Sequence, residues 1–348
     1  MKILNALLTF CIAYSSIVIP AEVKRAAAKG EAGNGKQVLT DQLIEAASNG
    51  DTKNVLQLLK EGANINGKNE LGVTALVTAI SGDHYETVKT LLDNGADINM
   101  RTDNGLTALD IARSGAKDKI VELLMRKYSP QELLNIKLVD AANNEDLKTV
   151  DALLKEGANI DWVGYNNWTA LQWAALRKNK ELVLLLLKKG ANPNRQDGSG
   201  RTALNEAVTG NALEIAKILL EYRANPDLGM PLLVAAWKHD WDMLKLLLKN
   251  GANINVQDSK GNTALMKAAE SGNVEGVKIL LEYGAFPYIQ NKKGKTALDF
   301  AYKKSKNIVG MHKKQYEDIV ELLTRKQPTR KSKAQAEEEL KEWQQRLN

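Results

Sequence analysis

Residues 251–285 read GANINVQDSKGNTALMKAAESGNVEGVKILLEYGA, and the same arrangement returns along the chain at a fixed interval. Thr-Ala-Leu begins at Thr74, Thr107, Thr169, Thr202, Thr263 and Thr296, in steps of 33, 62, 33, 61 and 33. Gly-Ala followed by Asn or Asp begins at Gly62, Gly95, Gly157, Gly190 and Gly251, and Gly-Ala-Phe begins at Gly284; Arg223 takes the glycine place in Arg223-Ala224-Asn225. A 33-residue unit with two shortened intervals accounts for both series. Self-similarity at such a period marks a repeat array.

Each unit has its own physical logic. The threonine caps a first helix by accepting from a backbone N–H, and the small Ala after it lets that helix approach a neighbour closely. A short turn such as Ser271-Gly272-Asn273 reverses the chain. The second helix carries apolar residues at helical spacing, as in Val55, Leu58 and Leu59, or Val277, Ile279, Leu280 and Leu281. Gly62 and its equivalents suit the left-handed residue that ends a helix. A polar segment such as Asn255–Asn262 then projects like a hairpin. One such pair cannot cover its own apolar face, so the pairs must stack as a solenoid.

These residues resemble the ankyrin repeat, whose signature runs T-P-L-H-x-A, a second helix and G-A-D/N. The resemblance covers about Thr40 to Lys326, in roughly nine units beginning near Thr40, Thr74, Thr107, Ile136, Thr169, Thr202, Met230, Thr263 and Thr296. Ala replaces Pro, and His is mostly missing after Leu. The resemblance implies an all-α ankyrin-repeat solenoid of helix-turn-helix units with β-hairpin-like fingers. By the same resemblance, partners are held in the groove between fingers and inner helices.

The array is irregular at three places. After the third unit the glycine turn gives way to Arg126–Glu132, where Ser129, Pro130 and Glu132 form a helix-start pattern, so an extended first helix is expected. This junction is either a hinge or a continuous stack with one finger trimmed. Arg223 stands where glycine normally adopts the left-handed conformation, a substitution that costs on the order of 1 kcal/mol if that geometry is kept. In the last unit extra residues around Lys303 to Lys314 should lengthen a helix or bulge as a loop.

Both ends differ from the array. Residues 1–21 have Lys2, an apolar stretch and small residues near Ser15 and Ala21, the outline of a signal peptide, with a membrane anchor as the alternative. Export to a periplasmic, surface or secreted location follows if it is cleaved. Residues 22–39 read as a linker, 40–128 as units one to three, 129–326 as units four to nine, and 327–348 as a basic tail with a short helix carrying Leu340, Trp343 and Leu347.

Composition narrows the chemistry. The only cysteine, Cys11, excludes a disulfide framework, and His84, His239 and His312 lack metal-site spacing. Gly294-Lys295-Thr296 lacks the upstream glycine of a phosphate loop, since Ile289 stands there. No cofactor, metal or catalytic site is expected, and the chain reads as a monomeric, non-enzymatic scaffold for a protein of unknown identity. Its candidate contacts are Tyr165, Asn166 and Trp168 on one finger, Leu176 and Arg177 at the nearby helix edge, and Trp237 and Lys238 two units later. Tyr and Trp at positions that packing does not require commonly anchor interfaces. Trp173 and Trp241 have a phase that points inward, to the core.

Charge supplies the alternative reading. Residues 288–348 hold 15 Lys and Arg against 8 Asp and Glu. Lys292, Lys293 and Lys295 share a finger with Lys303 and Lys304 close behind, a patch suited to an anionic membrane or nucleic acid.

Overall fold

A capping threonine starts most of the inner helices. Thr74 Oγ1 accepts from the Val77 N–H at 3.4 Å, and Thr263 Oγ1 accepts from Met266 at 3.3 Å. At Thr107 and Thr296 a carboxylate three residues on accepts in return from the threonine N–H, through Asp110 and Asp299, both at 2.8 Å. Such caps contribute about 1 kcal/mol each.

A computed structural model describes residues 35–164, 167–308 and 311–325. Their helices run in consecutive pairs: α1 (Gly35–Ser48) with α2 (Thr52–Lys60), α3 (Ala75–Ser81) with α4 (Tyr85–Asp93), α5 (Ala108–Ser114) with α6 (Asp118–Met125), and α7 (Pro130–Asn143) with α8 (Leu147–Lys155). They continue as α9 (Ala170–Leu176) with α10 (Lys180–Lys188), α11 (Ala203–Thr209) with α12 (Leu213–Glu221), α13 (Pro231–Lys238) with α14 (Trp241–Lys249), α15 (Ala264–Ser271) with α16 (Val274–Glu282), and α17 (Ala297–Asn307) with α18 (Met311–Arg325). No strand occurs among the described residues. The leader, Tyr165, Asn166 and the tail 327–348 lie outside them.

The chain divides into two compact units, one up to Thr169 and one from Ala170 on. The division falls inside the third Thr-Ala-Leu, that of the fifth repeat, and not at the missing finger. Within the first unit α1 packs on α3 and α3 on α5, while α2 packs on α4 and α4 on α6. Within the second unit each of α9, α11, α13 and α15 packs on the next odd-numbered helix, and the even-numbered helices α10 to α18 form a parallel row of contacts. The odd helices come close because their facing residues are small: Ala75, Ala79, Ala203, Ala207, Ala264 and Ala268 are buried. Leu76, Leu204 and Leu265 bury beside them, each contributing roughly 1.5–3 kcal/mol.

The fingers add a register of hydrogen bonds. The N–H of Asp97 donates to Asn66 Oδ1 at 2.8 Å, that of Asn253 to Asp227 Oδ1 at 2.7 Å, and that of Phe286 to Asn255 Oδ1 at 3.0 Å. A carboxamide or carboxylate two residues past each Gly-Ala-Asn/Asp thus receives the next finger's backbone. The finger tips close through backbone bonds four residues apart, as in Asp258 N–H to Asn262 O at 3.0 Å.

Two expectations need correction. The first helix reaches back to Gly35, inside the segment read as linker. Thr40 consequently lies within α1 and caps nothing; its hydroxyl donates to Lys36 O at 2.8 Å and accepts from the Asn64 N–H at 3.3 Å. Asn135 does the same for the Asn159 N–H from within α7, at 2.7 Å. Longer first helices supply from their own side chains the acceptor that a preceding finger supplies elsewhere.

Where the third finger is missing, Ser129 Oγ and Glu132 form a capping box that opens α7, a helix of 14 residues. The junction is tied on several sides. Arg113 donates to both carboxylate oxygens of Asp140, each at 2.8 Å, and Arg101 Nη2 donates to Val163 O at 3.1 Å. In the last pair the extra residues lengthen both helices, to 11 residues in α17 and 15 in α18.

The turn inside each of the first eight pairs has a left-handed residue, and six of these are not glycine: Asp83, Ala116, Glu145, Lys178, Asn211 and His239. Arg223 takes the same conformation after α12, with φ 65° and an exposed side chain. Arg223→Gly should raise stability by about 1 kcal/mol, visible as a higher urea midpoint at unchanged slope. An unchanged or lower midpoint would mean that the arginine side chain offsets the strain.

Candidate functional site

Four positions of each unit vary widely in residue type and in burial. Counting from the capping residue, they are the one before it and those four, seven and eight after it. In the second unit these positions gather on one face. Arg177, at the exposed end of α9, holds its guanidinium 6.0 Å above the buried ring of Trp173, with Leu176 half-buried beside it. Gln172 Nε2 donates to Arg201 O at 3.0 Å and so ties the following finger to α9.

Arg201 reaches down to α11. Its Nη2 donates to Thr209 Oγ1 at 3.0 Å and stands 2.9 Å from Glu206 Oε1. Lys238 Nζ, from the end of α13, donates to the backbone carbonyl of the same Thr209. Trp237 beside it is 58% exposed. Lys267 of α15 lies 3.6 Å from Asp258. Leu176, Arg177, Trp237 and Lys238 therefore belong to a face that Arg201, Glu206, Thr209 and Lys267 connect.

Glu206 is the unusual member. It is 2% exposed, and burial pushes its carboxyl up to about 7 although Arg201 opposes the shift and Asp197 reinforces it. The helices on either side present Trp173 and Val234 at the equivalent position, neither of them ionisable.

Other candidates fall elsewhere. Trp168 is half-buried and belongs to the first unit, where its carbonyl accepts from the Gly164 N–H at 3.0 Å. Lys292, Lys293, Lys295 and Lys303 are exposed and Lys304 is half-buried, all within the last pair and its finger. Trp173 is buried at 6% exposure, but Trp241 corrects the core expectation, being 47% exposed. It occupies the first position of α14, and its indole N–H, which needs an acceptor, donates to Asn273 Oδ1 at 3.0 Å. Arg201, Glu206 and Lys267 had no place among the sequence candidates, although aligning the units on their capping residues puts them at the same variable positions.

A family model described as ankyrin repeats (3 copies) matches residues 43–133, 138–229 and 232–333. The chain belongs to the ankyrin repeat family. Ankyrin repeats generally serve as protein–protein interaction modules and not as enzymes. Among solved structures the chain is similar to the crystal structure of EF0377, an ankyrin repeat protein, at 30% identity and a TM-score of 0.48, with 55% of this chain and 97% of that chain covered. No curated protein matches. Among the described residues no group of His, Cys, Asp and Glu could hold a metal ion, and no helix is long and apolar enough to cross a membrane.

Glu206 makes the ankyrin stack sensitive to pH. Its folded-state value stands above the ordinary 4.5, so the fold binds this proton more tightly than the open chain does. The contribution is complete below about pH 4.5 and is lost as pH rises through 7. Glu206→Gln should match the parent's stability at pH 5 and exceed it at pH 8 by about 1–3 kcal/mol, read by urea unfolding at both pH values. Equal stability at pH 8 would show that Arg201 fully compensates the buried charge.

Proposed function

We propose that the chain is a non-enzymatic, monomeric scaffold that binds a protein partner on the face formed by its inner helices and fingers. The exposed Trp237 carries this reading. At the equivalent position the other pairs have Ser48, Ser81, Ser114, Asn143, Leu176, Thr209, Glu270 and Lys303, so packing does not ask for a large ring there. A half-exposed tryptophan next to Lys238 has the residue type that dominates binding energy at interfaces. Trp168, together with Tyr165 and Asn166 just before it in sequence, is a separate candidate contact in the first unit. No cofactor takes part, and export by the leader places the partner outside the cytoplasm.

A second reading rests on the last finger and α17, where Lys292, Lys293, Lys303 and Lys304 make no ion pair with described residues. It assigns adhesion to an anionic membrane or nucleic acid, which collapses steeply with salt.

Immobilised full-length chain decides between the two. Proteins retained at about 150 mM salt should be lost from Trp237→Ala, which removes on the order of 2 kcal/mol or about thirtyfold in affinity, and kept by the outer-helix variant Lys217→Ala. Retention that ignores Trp237 but vanishes with Lys292, Lys293, Lys303 and Lys304 all changed to Gln would replace the scaffold reading with adhesion.

A further inference from the structure

The two units differ at the four variable positions in a way that names a class of partner. In the first unit those positions hold Ser48, Ser81, Ser114 and Asn143, the acids Glu45 and Asp140, the apolar Val73, Leu106 and Ile111, and Trp168, but no cation. In the second unit they hold Arg177, Arg201, Lys238, Lys267, Lys295, Lys303 and Lys304 beside the acids Glu206 and Glu270, with the aromatics Trp173, Trp237 and Phe300. We infer that the partner seated on the second unit is an acidic protein segment, with an apolar side chain to meet Trp237 and carboxylates to meet Lys238 and Lys267. The inference rests on the scaffold reading and narrows it.

Charge complementarity argues for this occupant. Arg201 is engaged with Glu206, but the Lys267–Asp258 contact is a loose 3.6 Å and Lys238 spends its ammonium on one carbonyl, so both keep donors for a carboxylate. Burial keeps the Glu206 carboxyl near 7, which leaves the cations only partly offset at neutral pH. The same face argues against a nucleic acid. Its cations are separated by Leu176, Thr209 and Val234, and half-buried Glu270 sits among them, which a continuous run of phosphates would meet unfavourably. A polypeptide can place carboxylates and apolar groups in alternation to match.

The test uses full-length chain and a fluorescein-labelled peptide of about twenty residues, rich in Asp and Glu with one central Leu-Phe pair, followed by anisotropy at about 150 mM salt. Saturable binding is expected, weakened about tenfold by Trp237→Ala and by Lys238→Gln with Lys267→Gln, and changed less than about twofold by Lys292→Gln with Lys293→Gln. The Asn/Gln version of the peptide should not bind, and the version with Ser for Leu and Phe should bind weakly. Circular dichroism of each variant separates lost contact from lost fold, and Lys238→Gln alone serves if the double variant unfolds. The inference fails if the neutral peptide binds as well, if inner-face changes leave affinity unchanged, or if oligothymidylate or phosphatidylserine vesicles displace the peptide from the same residues. Should natural partners still depend on Trp237 while the acidic peptide does not bind, the scaffold reading stands and this one falls.

Discussion

A pair of short helices has two apolar sides and can bury one of them only against another pair. Everything in this structure follows from that shortage of cover. Ala203 and Ala207 on one inner helix, and Ala264 and Ala268 on another, are small enough to let backbones approach, and that approach removes Leu204, Leu265 and the valines and leucines of the outer row from water. At roughly 1.5–3 kcal/mol for each buried leucine, against about 1 kcal/mol net for each finger hydrogen bond, burial supplies the stability and the fingers supply the register. The ladder from Asn66, Asp227 and Asn255 to the next finger's backbone holds each projection at a set place over its helix.

That division of labour explains how a repeating fold carries a non-repeating surface. Residues one, two and five past each cap are committed to the seam and vary little. Residues four, seven and eight past it range from Thr78 and Ser81 through the buried Trp173 and Glu206 to the exposed Trp237. Variation at these positions gives the second unit cations that the first unit lacks there.

The period, the caps and the helix-ending glycines were legible because each rests on a local rule that needs no neighbour. The buried Trp173 was legible for the same reason. Features set by distance along the stack were not. Trp241 has the phase of a core residue, but phase does not reveal that its indole N–H finds its acceptor on Asn273, 32 residues on, with the ring 47% exposed. Thr40 looks like a capping threonine, yet α1 continues past it to Gly35, where Gln37 Nε2 donates to Lys68 O of the first finger at 3.1 Å. The finger ladder is written in the Asn-x-Asn and Asn-x-Asp spacing, but its bonds join residues about thirty apart and become visible only when units are superposed. The roles of Tyr165 and Asn166 lie outside the described residues.

Glu206 shows where folding and surface chemistry compete. Three other units have an apolar residue there, Ile111, Val234 and Phe300, and such a side chain would stack without a desolvation cost. A buried ion pair is weak evidence for stability, since taking its charges out of water consumes much of what their attraction returns. What the pair does achieve is positional. Thr209 and Glu206 hold the Arg201 guanidinium from below while Gln172 holds its carbonyl from the side, so a long side chain that would otherwise sample many rotamers is kept against the inner helix. The stack gives up some stability at neutral pH and gains an ordered cation between Arg177 and Lys238. That exchange suits a face that recognises another chain and has no value to a core whose sole task is to fold.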